Sequence, residues 1–345
     1  MKGIKRGKLK LLFTLVAFLA FAGLIVALRK QIVDTFNNLS RINAWILLFI
    51  VVWQVLSYTS YAHMYRRLFI LLGERIRFRS LLRLTIELNF INNVLPSGGV
   101  SGFSYFSFRM RDAHVSASKS ALVQLGRFIL IFLSFEVLLL TGLLLLALGG
   151  NVNNLTMLIF GAAGMLLIVI TLGLAFIVGS KRRINSFFTY ITVLINRFIY
   201  FFRRSHPETI NVEKVREMFT EMHENFLVLK KDPRTLKQPL FWALLVNVAE
   251  VMTIYTVYAA FGYWVNPGAV IIAYAIANFA GLISVLPGGV GIYETLMTIT
   301  LAAAGVSPAL SIPVTVMYRV VNMSLQLPFG YYLYHQALNQ KHGDD

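Results

Sequence analysis

Two arginines and four carboxylates of this 345-residue chain fall inside long apolar stretches, where charge is expensive. Arg127 lies 31 residues after Pro96, and Arg319 lies 32 after Pro287. An arginine at mid-span costs about 2.5–3.5 kcal/mol on insertion scales, so two at matched places need a reason. Phosphate binding supplies one, because a guanidinium grips phosphate bidentately. The plainer reading of Arg127 is snorkelling, since it sits only about 12 Å into its span at 1.5 Å per residue. Arg319 lies nearer mid-span. The carboxylates are Glu87, Glu136, Glu250 and Glu294. A buried carboxylate can carry a proton or hold a cationic headgroup. It can equally form a structural ion pair with Arg127 or Arg319. Glu136, nine residues from Arg127, falls on roughly the opposite helix face, so those two are not a local pair.

The second kind of chemistry belongs to the backbone. Val94-Leu95-Pro96-Ser97-Gly98-Gly99-Val100 returns as Val285-Leu286-Pro287-Gly288-Gly289-Val290. Proline cannot continue a helix and paired glycines loosen the chain, so each copy should break a helix at membrane depth. Irregular backbone is tolerated there only when it is packed in protein or lines a cavity. New helices can start near Ser101 and Gly291. A helix start carries free N–H groups and partial positive charge, which suits an anion such as phosphate. Asn89, Asn92, Asn93, Tyr105, Asn278, Ser284 and Tyr293 surround the breaks, either lining a polar cavity or bonding the interrupted backbone.

These groups need elements to position them, and composition says which kind. Apolar residues make up 57 % of the chain, and mean hydropathy is +0.68. With several long uncharged runs, this is the pattern of an all-α polytopic membrane protein. The net charge of +17 would suggest nucleic acid in a soluble protein. Here it fits a cytoplasmic face lying on anionic lipid headgroups, and no nucleic-acid partner is expected. There are no cysteines, so disulfides and thiolate chemistry are excluded.

Charge between the apolar runs sets the topology. Met1 to Lys10 carries five Lys/Arg, which places the N-terminus in the cytosol. Leu11 to Leu28 lacks a convincing cleavage site and reads as span 1. Span 2 is about 44–65. The segment of about 84–108 contains the first break and has basic flanks on both sides, so it dips in and returns as a re-entrant hairpin. Span 4 (about 120–148) exits and span 5 (about 155–179) returns. Residues 181–237 hold twelve Lys/Arg and are assigned to the cytosol. Within them, 184–202 reads as an interfacial helix. Val212, Val215, Phe219, Met222, Phe226 and Leu229 recur at helical spacing and form a face that packs on the membrane domain or on another subunit. Span 6 (about 238–262) exits, 269–304 contains the second break between uncharged flanks, and span 8 (about 309–335) returns. About six full spans and two hairpins of opposite entry make an inverted repeat in one membrane domain, with repeat A at about 44–148 and repeat B at about 238–335.

No phosphate-loop pattern, H-E-x-x-H or G-x-S-x-G occurs, so no nucleotide site of that kind, metal site or cofactor is expected. The residues put forward for substrate binding are Arg127, Arg319, Glu294, Glu250, Asn93, Pro96, Gly98, Gly99, Pro287, Gly288, Gly289 and Tyr293.

Asn92 to Val100, and Ser284-Val285-Leu286-Pro287-Gly288-Gly289-Val290-Gly291-Ile292-Tyr293-Glu294, resemble the flippase-like family of lysylphosphatidylglycerol synthase transmembrane regions. That family includes the YbhN-like proteins and the N-terminal membrane domain of the multiple peptide resistance factor. The basic N-terminus and the long cytosolic segment fit as well. The resemblance implies a multi-pass protein of the cell membrane, bacterial and cytoplasmic, that moves a phospholipid or lipid-linked headgroup between leaflets. Aminoacylated phosphatidylglycerol is one candidate. The chain ends about ten residues after span 8, without room for the soluble synthase domain, so transport rather than enzymatic transfer is expected of it. The alternatives are a membrane-embedded aminoacyl- or glycosyl-transferase, and a scaffold recruiting a separate lipid synthase. A homodimer is the other partner the reading allows.

Overall fold

The computed structural model describes residues 42–95, 100–149, 154–183, 232–283 and 289–340, with isolated positions at 26, 29 and 33 and between 185 and 227. Every regular element among the described residues is a helix. In order they are α1 (Phe49–Leu71, opened by a 3-10 turn at Ala44–Leu48), α2 (Phe78–Val94), α3 (Val100–Asp112), α4 (Ala117–Leu148) and α5 (Asn154–Val178). Farther along the chain come α6 (Lys237–Ala260, opened by a 3-10 turn at Pro233–Leu236), α7 (Pro267–Ile283), α8 (Ile292–Ala303) and α9 (Pro308–Gln340). The protein is an all-α membrane protein. Three of its helical segments, Ala44–Leu71, Ala117–Leu148 and Pro233–Ala260, are long and apolar enough to cross a membrane. α9 is longer, at 33 residues, but its middle carries Arg319, Asn322 and Gln326. Span 1 lies outside the described residues except for Val26, as do the phrases Pro96–Gly99 and Pro287–Gly288.

The helix ends follow from local chemistry. α2 stops at Val94, and Leu95 is extended with ψ 124°, the conformation a residue before proline prefers. α4 begins after Ser116, whose hydroxyl accepts from the Lys119 N–H at 3.3 Å, an N-cap. α1 closes on Gly73 at φ 79°, with the Glu74 N–H on Phe69 O at 2.9 Å and the Gly73 N–H on Ile70 O at 3.0 Å. This double bond is the Schellman arrangement. α6 ends the same way on Gly262 at φ 76°, as Tyr263 N–H meets Tyr258 O at 3.1 Å. α3 and α8 also share it, on His114 at φ 57° and Gly305 at φ 87°. Both halves of the chain therefore use one cap at corresponding joints.

Packing crosses between the halves. α1 and α6 form the most extensive pair. They run antiparallel: the Asn43 N–H reaches Ala260 O at 3.0 Å at one end, and His63 stacks on Trp242 at 4.4 Å at the other. Trp45 and Trp264, 81 % and 84 % exposed, share the first of these ends. The exposed Arg66 and Arg67 lie toward the second. α2 packs on α9, and α7 packs on α4. Small residues make both contacts possible. A Cβ on Gly268 would meet Gly142 O at 2.3 Å and Leu146 N at 2.7 Å. A Cβ on Gly330 would meet the Phe90 Cβ at 2.5 Å, beside the Phe90–Tyr331–Tyr334 aromatic cluster.

α2 and α3 lie against each other and are fastened by charge. Arg109 meets the buried Glu87 through Nε–Oε2 at 3.0 Å, and Tyr105 donates to the same oxygen at 2.9 Å. The amphipathic helix expected at 212–229 is described at 217, 220–221 and 223–227, where it is helical. Phe226 packs against the main core. The Ser116 hydroxyl, at the start of α4, donates to Glu221 Oε1 at 3.2 Å. Val212, Val215, Phe219, Met222 and Leu229 lie outside the described residues.

Gly268→Ala is expected to destabilise by about 1–3 kcal/mol through overpacking. Gly161→Ala, with nothing within 4 Å of its added Cβ, should be neutral or slightly stabilising. Arg109→Met leaves the Glu87 carboxylate buried without a counter-charge and should cost about 3 kcal/mol, most of which Glu87→Leu restores in the double variant. Unfolding of the purified protein in detergent checks each.

Candidate functional site

Polar side chains recur at helical spacing on faces that turn inward. α1 presents Ser57, Tyr58, Tyr61 and Tyr65, α2 presents Thr85, Asn89, Asn92 and Asn93, and α9 presents Tyr318, Arg319, Asn322 and Gln326. Steps of three and four residues put each set on one stripe. With Arg127 of α4, Glu250 of α6, Tyr274 and Asn278 of α7 and Tyr293 of α8, they enclose one cavity of about 240 Å³. Seven helices from both halves contribute to it.

Arg127, Arg319, Glu250, Asn93 and Tyr293 thus share one chamber. Arg319 is buried, 5 % exposed. Its Nε lies 3.4 Å from Glu294 Oε1, and its guanidinium lies 4.9 Å from the Tyr293 ring centre. Glu294 does a second job: its Oε2 accepts the Gly291 N–H at 2.7 Å and caps the start of α8. Gly291 takes φ 87°, and Gly289 just before it φ 65°, both in the left-handed region that favours glycine. Glu250 accepts from Ser57 at 2.9 Å and from Tyr318 at 3.2 Å. Among the described residues, no cation lies within ion-pair distance of it. Arg127 sits against its neighbour Phe128, 4.4 Å to the ring centre, and its Nε has no hydrogen-bond partner. Among the described residues, no carboxylate pairs with it. Glu294 and Arg319 offset each other, which leaves one cationic group and one carboxyl group facing the same space.

An amide relay holds three walls together. Asn93 donates to the Asn89 carbonyl at 2.9 Å and to its Oδ1 at 2.6 Å. Asn89 donates to Tyr58 OH and, at 2.7 Å, to Gln326 Oε1. Gln326 donates onward to Gln54 at 2.7 Å and to Asn322. The asparagines therefore line the cavity and bond backbone at once. Asn278 does likewise, donating to Tyr274 O at 2.9 Å. A second cluster ties α4, α6 and α7: Tyr274 donates to Asn247 Oδ1 at 3.1 Å, and Asn247 donates to Ser134 at 2.8 Å.

Other candidates fall elsewhere. Glu87 and Tyr105 face each other and Arg109, and Glu136 is not part of the wall. Pro96, Ser97, Gly98, Gly99, Ser284, Pro287 and Gly288 lie outside the described residues. The residues that sequence reasoning passed over are Ser57, the other five tyrosines of the wall, Asn322 and Gln326. Their signal was present as polar residues three or four apart inside apolar runs. Among the described residues, no three His, Asp or Glu side chains converge as a metal site.

Comparison with known proteins fits this architecture. The chain is 25 % identical over 239 residues to a UPF0104 membrane protein of Methanothermobacter thermautotrophicus, covering 67 % of this chain and 68 % of that one. It is 24 % identical over 244 residues to one of Pyrococcus horikoshii, covering 70 % and 72 %. A third, from Methanocaldococcus jannaschii, is 22 % identical over 270 residues, covering 76 % and 75 %. The family described as "Lysylphosphatidylglycerol synthase TM region" matches residues 9–330. That match spans nearly the whole chain, charged chamber included, and the protein belongs to this family.

Proposed function

We propose that this protein moves a phospholipid, or a lipid-linked headgroup, between the leaflets of the membrane in which it is embedded. The observation that carries the reading is the chamber: a polar cavity among apolar helices, with a guanidinium, Arg127, that has no carboxylate counter-ion among the described residues. Charge kept at membrane depth marks a substrate path. Arg127 grips the headgroup phosphate through parallel N–H donors, and Arg319, steered by Glu294, adds positive potential from α9. Amides and phenols replace the water that the headgroup leaves behind.

Volume limits what enters. At about 30 Å³ per water, 240 Å³ holds about eight waters. That is room for a headgroup but not for acyl chains, which stay among lipid tails. The matched caps at Gly73 and Gly262, and the reciprocal packing of α2 on α9 and α7 on α4, support an inverted repeat whose two halves rock around the chamber. The family's own description, a transmembrane region of a lipid synthase, supports a lipid as cargo. No covalent step is required, and the reading is of a carrier rather than an enzyme. It acts in the cytoplasmic membrane, alone or beside a separate synthase.

The test is lipid translocation in vesicles of purified protein, using phospholipid labelled on its acyl chain. A charged hydrogen bond contributes about 1.5–3 kcal/mol, so Arg127→Ala should slow crossing at least about tenfold. Arg127→Lys, which keeps the charge but loses the fork, should fall between. Crossing no faster than in protein-free vesicles, or an Arg127→Ala variant as fast as the parent, refutes the proposal.

A further inference from the structure

We propose that Glu250 is a proton-carrying group and that lipid movement through the cavity is coupled to movement of one proton; this rests on the transport reading above. Glu250 differs from the carboxylates around it. Glu87 has Arg109 at 3.0 Å, and Glu294 has Arg319 at 3.4 Å. Glu250 has neutral partners among the described residues: the hydroxyls of Ser57 and Tyr318 and the amides of Gln54 and Asn322. It also lines the cavity, so water can bring a proton to it.

The titratable and charged groups around it come from five of the other six helices. α1 offers Tyr58, Tyr61 and Tyr65, α4 Arg127, α7 Tyr274, α8 Tyr293, and α9 Tyr318 and Arg319, while α2 offers neutral amides. The tyrosines are neutral at ordinary pH, and Glu294 is engaged by Arg319. The charges the cavity sees are therefore those of Arg127, the Arg319–Glu294 pair and Glu250 itself. When a phosphate monoanion settles on Arg127, an ionised Glu250 shares the chamber with a like charge. At the separations a 240 Å³ space imposes, in surroundings less polarisable than bulk water, that repulsion is large. Proton uptake removes it. By reciprocity, a site that gains a proton when phosphate enters releases the phosphate when the proton leaves.

The same proton changes what holds the helices. Ionised, the carboxylate is acceptor only and takes both hydroxyls, one from α1 and one from α9. Protonated, it carries one O–H donor. The oxygens of the neighbouring Gln54 and Asn322 amides already accept from Gln326, so the new O–H must turn to a hydroxyl oxygen or to water, and one of the ties to α1 or α9 is given up. The step is balanced: an O–H bond forms on Glu250 with a proton from water on one side of the membrane, and breaks to water on the other. A charge change at one carboxyl group thus biases the fit of α6 against α1 and α9, the form a two-state switch needs.

The experiment uses purified full-length protein in vesicles with a pH gradient and with the membrane potential clamped by potassium and valinomycin. The probe is phosphatidylglycerol labelled on its acyl chain, and the readout is its steady-state distribution between leaflets. One proton per monoanionic lipid is electroneutral, so the distribution should shift about tenfold per pH unit, compared with protein-free vesicles. Glu250→Gln should show no response to the gradient, and Glu136→Gln, outside the cavity wall, should respond as the parent does. Should Glu250→Gln not fold, Ser57→Ala and Tyr318→Phe serve in its place and should weaken the response. An even distribution in the parent despite the gradient overturns the coupling while leaving lipid crossing intact. A full response in Glu250→Gln overturns the assignment of the site. Absence of crossing under any gradient overturns the transport reading, and the coupling with it.

Discussion

A charge inside a bilayer cannot be left to solvent, and most of this architecture answers that constraint. Water is absent at mid-depth, so every guanidinium, carboxylate and amide there must meet another polar group or an enclosed wet space. Glu87 meets Arg109 and Tyr105, and the result fastens α2 to α3. Glu294 meets Arg319 and the Gly291 N–H, and the result sets both the start of α8 and its place beside α9. Asn89, Asn93 and Gln326 meet one another, and the result joins α2, α1 and α9. Of the groups left over among the described residues, Arg127 and Glu250 are gathered into a single chamber, and Glu136 stays outside it. Helix assembly and site formation are thus one event, driven by the same need.

The chamber also depends on how closely helix backbones approach. In lipid there is no hydrophobic drive to press helices together, so contact rests on fit. Gly142, Gly268 and Gly330 supply that fit at the two cross-packed joints: a Cβ would collide with backbone at Gly268 and with Phe90 at Gly330, and would press on Ile271 and Ile272 at Gly142. Gly102 does the same for the site directly: a Cβ there would meet Asn92 Oδ1 at 2.1 Å. Displacing Asn92 would alter the wall beside Asn89. Packing residues outside the wall therefore decide the shape of the cavity.

Much of this was legible in the sequence, and the parts that were not have a physical reason. Pro96 fixed the end of α2, because a pyrrolidine ring forbids the preceding residue from staying helical. Arg127, Arg319, Glu250 and Tyr293 could be singled out because polarity at depth is costly whatever surrounds it. Which carboxylate answers which arginine could not be read. Glu294 and Arg319 stand on different helices, and only the crossing of α8 with α9 brings them together. The tyrosines of the wall were overlooked for a related reason: in a membrane sequence, tyrosine equally marks the lipid interface. Only the direction each helix face takes in the assembly separates a belt residue from a cavity residue.

The antiparallel α1–α6 pair has one aromatic end and one arginine end, and the two behave differently under stress. Indole rings such as those of Trp45 and Trp264 hold a fixed level near the headgroups, whereas Arg66 and Arg67 can lengthen or shorten their reach along flexible stems. The pair therefore has a stiff end and an adjustable one, and a change in bilayer thickness falls on the arginine end.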